Sequence, residues 1–115
     1  MLDESRYQEL THAAFRRLET AFVDVDPDLV EAYFEGDVLT LAFTGGSRCV
    51  INTQRPTRQI WVAAQSKGYH FDWDPQSQSW RDDRGGSVEL FTLIERIVRE
   101  TAGIDVKIRS TAETR

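Results

Sequence analysis

At 115 residues and 40% hydrophobic content, the chain is long enough to close one domain around its own core without a disulfide or metal staple. The net charge of −5 lies in the first third: residues 1–35 carry nine acids against three bases, a balance of −6, while the rest stands at +1. This excludes nucleic acid as a partner of that end and favours a cation or a basic protein surface.

One cysteine cannot form an internal disulfide, and no apolar run approaches the roughly 18 residues of a membrane span. The acidic start Met1-Leu2-Asp3-Glu4 has no signal-peptide apolar region. A soluble cytoplasmic protein, with neither nucleic acid nor membrane as partner, is the expectation.

Residues 3–22 read as a helix. Tyr7, Leu10, Ala14, Leu18 and Phe22 recur at spacings of three and four, and Phe15 widens the stripe. Ser5-Arg6-Tyr7-Gln8 has the capping-box pattern, and Asp3 and Glu4 suit the positive end of the helix dipole. Pro27, within Asp24-Val25-Asp26-Pro27-Asp28, breaks the helix. In residues 29–35, Val30, Ala32 and Phe34 alternate with Glu31, Tyr33 and Glu35, which predicts a strand with one wet face.

Gly36-Asp37 turns the chain into a strand over 38–43, with Leu39, Leu41 and Phe43 on one side. Thr44-Gly45-Gly46-Ser47 leads into a third strand over 48–53, where Cys49 sits in an apolar run and reads as a buried thiol. Pro56 makes 54–57 a connection. Residues 59–63 and 69–73 form a hairpin around Gln65-Ser66-Lys67-Gly68. Alternation places Ile60 and Val62 on one face and Gln59, Trp61 and Ala63 on the other; Tyr69, Phe71 and Trp73 oppose His70 and Asp72.

A turn over 74–78 precedes a short strand over 79–82. Residues 87–101 read as a second helix, with Ser87 as N-cap, Gly103 as stop, and a wide apolar stripe that includes Val88, Phe91, Ile94 and Val98. A terminal strand follows over 104–109, then a polar tail over 110–115. This order predicts an α+β two-layer sandwich: both helices on one face of a mainly antiparallel sheet of about six to seven strands, in one domain over 1–109.

Three groups of side chains are candidates for function. Asp24-x-Asp26-x-Asp28, with Glu35 eleven residues after Asp24, partly matches an EF-hand loop. Leu29 stands where that loop needs glycine, so an open array of hard oxygen donors, or simply a solvated acidic face, fits better. His70 and Asp72 share a strand face and read either as a base with its orienter, as metal ligands, or as a surface hydrogen bond. Trp61 lies opposite Ile60 and Val62, which leaves packing under a loop and exposure as a contact anchor equally open. No nucleotide-binding or acyl-transfer motif is present.

Four motifs carry a resemblance: Gly36-Asp37-Val38-Leu39-Thr40; Asn52-x-Gln54-x-Pro56-x-x-Gln59-Ile60-Trp61-Val62-Ala63; Gly68-Tyr69-His70-Phe71-Asp72; and Trp80-x-Asp82. Together they make the chain, over about residues 3–109, resemble the frataxin family and in particular its bacterial CyaY-type members. The resemblance implies an iron-binding accessory protein of iron–sulfur cluster assembly with no active site of its own. It implies weakly bound iron, ferrous or ferric, on an acidic ridge made of Asp3, Glu19, Asp24, Asp26, Asp28 and Glu31. It implies two partners, a cysteine desulfurase met by the ridge and the cluster scaffold met by Asn52, Gln54, Gln59 and Trp61 on an exposed sheet face, with His70 beside them.

Arg16, Arg17 and Tyr33 depart from the acidic pattern and predict fewer or weaker iron sites than in more acidic members. A monomer is expected, with metal-driven self-association compatible with the acidic surface. A ferroxidase or iron-storage activity and a generic binding module using Trp61 are the competing readings.

Overall fold

The computed structural model describes residues 2–108. Helix α1 spans Glu4–Phe22, followed by β1 (Val30–Glu35), β2 (Val38–Phe43), β3 (Arg48–Gln54), a 3₁₀ turn (Arg55–Thr57), β4 (Gln59–Ala64), β5 (Lys67–Asp74), β6 (Ser79–Asp82) and helix α2 (Leu90–Ala102). The six strands pair in chain order, every pair antiparallel. Local connections make this meander, because each apolar run is followed by a turn short enough to fold the next strand back.

One sheet face is dry. Leu39, Leu41, Ile51, Ile60, Val62 and Phe71 are fully buried against Tyr7, Ala14 and Leu18 of α1 and Leu90, Ile94 and Ile97 of α2. The predicted alternation and helical stripes therefore meet in one core. Phe34 is an exception: β1 is an edge strand, and Phe34, expected on its dry face, is 40% exposed. Among the described residues, no helix is long and apolar enough to cross a membrane.

Helix starts differ from the expected caps. Asp3, not Ser5, caps α1; its carboxylate accepts the Arg6 N–H at 2.8 Å. Glu89, not Ser87, caps α2 and accepts from the N–H groups of Phe91 and Thr92. Residues before Glu89 cannot begin the helix, because Asp82 exchanges backbone and side-chain bonds with Val88 and Arg81 bridges Glu89. Gly103 ends α2 at φ 72°, as predicted.

The β4–β5 connection is tighter than expected. Gln65 and Ser66 alone make the turn, at φ 53° and 63°, and Lys67 and Gly68 already pair with Ala64 and Ala63. Positive φ at both central residues is the type I′ pattern.

The expected terminal strand does not form over residues 104–108; Arg109 lies outside the described residues, as does the tail over 110–115. Val106 and Ile108 are buried instead, and the Ile108 backbone is satisfied by helix side chains. Its N–H donates to Glu95 Oε2 at 2.9 Å and its carbonyl accepts from Arg17 at 3.1 Å. A segment held this way by α1 and α2 has no need of a sheet partner.

Candidate functional site: an acidic end and an open sheet face

Glu19, Asp24, Asp26, Asp28 and Glu31 surround the α1–β1 connection, and all five are exposed. Local bonds shape this loop. Asp26 Oδ1 accepts the Asp28 N–H at 2.9 Å, its carbonyl accepts from Leu29 and Val30, and Thr44 Oγ1 donates to the Asp28 carbonyl. Tyr33 donates to Glu31 Oε1 at 2.8 Å, and that bond to a carboxylate holds the phenol above its usual pKa. The last turn of α1 carries no base, so Glu19 and the acids beyond it sit at the negative end of the helix dipole, an electrostatically unfavourable place.

Asp3 stands apart. It caps the other end of α1, about 24 Å from Glu19 at 1.5 Å per residue. Five of the six predicted ridge acids therefore flank one connection, and Asp3 does not. Among the described residues, no group of three or more His, Cys, Asp or Glu side chains converges to hold a metal ion. Exposed carboxylates offer hard oxygen donors, the chemistry that hard cations prefer.

The open face of the sheet is built on register. Val38, Asn52, Trp61 and His70 lie opposite one another across β2, β3, β4 and β5, one per strand. The Trp61 indole stacks on the His70 imidazole, with centroids 4.2 Å apart and planes 15° from parallel. Trp61, Asn52 and Gln54 are half-buried, so the tryptophan lies on the open face with one ring side covered by His70.

Gln59 does not match its expected exposure: it is 9% exposed, and its amide is used internally. Oε1 accepts from Trp61 Nε1 at 2.9 Å, while Nε2 donates to Asp72 Oδ1 at 3.0 Å and Asp83 Oδ2 at 3.2 Å. Asp83 Oδ2 also lies 3.6 Å from His70 Nδ1.

Asp83 escaped sequence reasoning because it lies beyond the last residue of β6, where alternation no longer assigns faces. Its only signal is the doublet Asp82-Asp83. A cleft of about 400 Å³, lined in part by Lys67, His70, Asp83 and Arg84, opens beside this array. Asp72 thus serves as a hydrogen-bond acceptor for Gln59, while His70 stacks on Trp61 beside it. The one thiol, Cys49, is buried, and desolvation pushes its pKa to about 12, which leaves no available thiolate.

Two helices on one side of a six-stranded antiparallel meander, with the other sheet face open, define the frataxin-like class of α+β sandwich. The frataxin from Psychromonas ingrahamii superposes with a TM-score of 0.83 at 25% identity, covering 94% of this chain and 99% of that one. A trimeric frataxin from the yeast Saccharomyces cerevisiae, in a complex with ferrous iron, gives 0.60 at 24% identity over 90% of each chain, a likeness of fold.

In sequence, the iron-sulfur cluster assembly protein CyaY of Pseudomonas aeruginosa is 42% identical over 106 residues, covering 92% of this chain and 96% of that protein. CyaY of Tolumonas auensis is 35% identical, covering 93% and 99%. The model of the frataxin-like domain matches residues 1–104. The chain belongs to the frataxin-like family.

Proposed function

We propose that this protein is a non-enzymatic accessory factor of iron–sulfur cluster assembly in the cytoplasm. It carries iron loosely on its acidic end and docks a cysteine desulfurase through the same end. The observation that carries the reading is the pairing of two separate surfaces on one small fold. Five exposed carboxylates crowd the α1–β1 connection, and an aligned Asn52–Trp61–His70 row stands on the open sheet face. The names of its relatives support the pathway.

The acids attract a basic docking surface, and a bound cation lowers their charge and so tunes that attraction. The half-buried Trp61 supplies the apolar anchor for the scaffold. Iron binding is weak on this reading, because among the described residues the acids form no closed donor set. Asp3, at the far end of α1, belongs to the reading only as a remote contributor to the field.

The test is desulfurase binding by a variant that keeps the loop fold. Asp24→Lys and Asp28→Lys reverse charge, while Asp26→Asn keeps an acceptor for the Asp28 N–H. Binding should be lost in the triple variant, and in the wild type it should weaken steeply with added salt. Unchanged affinity in the triple variant removes the acidic end as the docking surface. Cluster assembly with purified desulfurase and scaffold, across iron concentrations, tests the role itself.

A further inference from the structure

We propose that Gln59, with Asp83 as its anchor, is the residue that positions Trp61 on the open sheet face, so that the contact surface is set from the β6–α2 loop. The proposal rests on the reading of Trp61 as a contact residue, but its first readout does not need a partner.

The amide orientation of Gln59 is fixed by chemistry. An indole N–H only donates, so Trp61 requires Oε1; ionised carboxylates only accept, so Asp72 and Asp83 require Nε2. Both Nε2 hydrogens and one Oε1 lone pair are engaged, on a side chain that is 9% exposed. Rotation of the amide by 180° would present N–H to N–H and oxygen to two carboxylates. The side chain therefore has one state, and it passes that state to the indole.

Asp83 also has a reason to be where it is. Asp82 folds the loop: its Oδ1 accepts the Val88 N–H at 2.8 Å, its Oδ2 accepts the Arg84 N–H at 3.2 Å, and its own N–H donates to the Val88 carbonyl. The Asp83 N–H then donates to the His70 carbonyl at 2.8 Å, which extends the β5 pairing by one residue. This turns the Asp83 carboxylate toward Gln59 and toward His70, the ring that covers Trp61. The indole is thus held at its edge by Gln59 and on one side by His70, and both supports lead to Asp83. A contact residue held in one rotamer loses less freedom on binding, so the device acts on affinity.

The test compares Gln59→Glu, Gln59→Leu, Asp83→Asn and the double variant Gln59→Glu/Asp72→Asn at pH 8. Glutamate keeps the shape but faces two carboxylates with no hydrogen to donate; the Asp72→Asn change gives it a donor again. In the Gln59→Glu and Gln59→Leu variants, the Trp61 indole Nε1–H signal should shift or broaden while the Trp73 and Trp80 indole signals stay in place. Asp83→Asn should move the Trp61 signal in the same way, by a smaller amount. The double variant should recover much of the wild-type signal. Scaffold affinity should fall about tenfold in Gln59→Glu and return in part in the double variant.

A Trp61 indole signal unmoved by the Gln59 variants overturns the proposal. Wild-type affinity despite a displaced indole overturns its functional part. If the wild-type protein itself fails to bind scaffold, the reading of the face falls, and positioning is then decided by the indole signals alone.

Discussion

The indole of Trp61 and the imidazole of His70 stack at 4.2 Å because β4 and β5 place them directly opposite each other on the open sheet face. This pair lies outside the core, whereas Trp80, 1% exposed, lies within it. Trp61→Ala should cost folding only about 1 kcal/mol, against about 3–5 kcal/mol for Trp80→Ala. Urea denaturation of both variants measures the difference. A pull-down with the scaffold should show loss of binding for Trp61→Ala and retention in whatever fraction of Trp80→Ala remains folded.

Tyr7 couples the first helix to the β3–β4 connection. Its hydroxyl donates to the Gln59 carbonyl at 2.6 Å and accepts the Gln54 N–H at 3.0 Å, and burial, as the main cause, raises its pKa. Tyr7→Phe removes both bonds while keeping the ring, leaving two backbone groups without that partner. A loss of about 1–3 kcal/mol is expected, read from the urea midpoint at unchanged m-value. A neutral result would mean that water replaces the hydroxyl.

Cys49 gives a pH signature. Burial raises its thiol from the ordinary value of 9.0 to about 12, so the folded state keeps a proton that the unfolded chain releases. This contribution to stability is complete below about pH 9 and is lost as pH climbs toward 12, by up to about 4 kcal/mol over that span. The chemical-denaturation midpoint should therefore fall above pH 9 more steeply in the wild type than in Cys49→Ala. Native protein at pH 8 should resist alkylation by iodoacetamide and react once unfolded in guanidinium.

Ser66 occupies the second position of the type I′ turn at φ 63°, a conformation that favours glycine. Ser66→Gly should stabilise by about 0.5–1 kcal/mol, the relief of backbone strain exceeding the added freedom of the unfolded chain. Differential scanning calorimetry should show a rise in Tm of a few degrees. A fall would show that the serine side chain contributes more than its backbone costs.

The helices and strands were legible because their signals are local. Tyr7, Leu10, Ala14, Leu18 and Phe22 mark α1 by spacing alone, and Ile60, Val62 and Phe71 mark the dry side of the hairpin by alternation. Residues 104–108 misled because the same β-branched composition serves a segment held by helix side chains; nothing nearby in the chain announces Glu95 and Arg17 as its partners. Gln59 misled for a related reason. Alternation assigned it correctly to the open face, yet that face is closed over it by Asp83, 24 residues away.

The order of elements from α1 to α2, the core positions other than Phe34, the acidic first third and the motifs of the family were thus determined by sequence alone, since each depends on neighbours within a few positions. Tertiary structure decided which of these residues meet. It left Asp3 a helix length from the other acids, brought Asp83 to Gln59, and settled Trp61 between exposure and packing by laying it on His70. Contacts of that kind depend on strand register and loop closure across the whole sheet, and no local pattern in the chain encodes them.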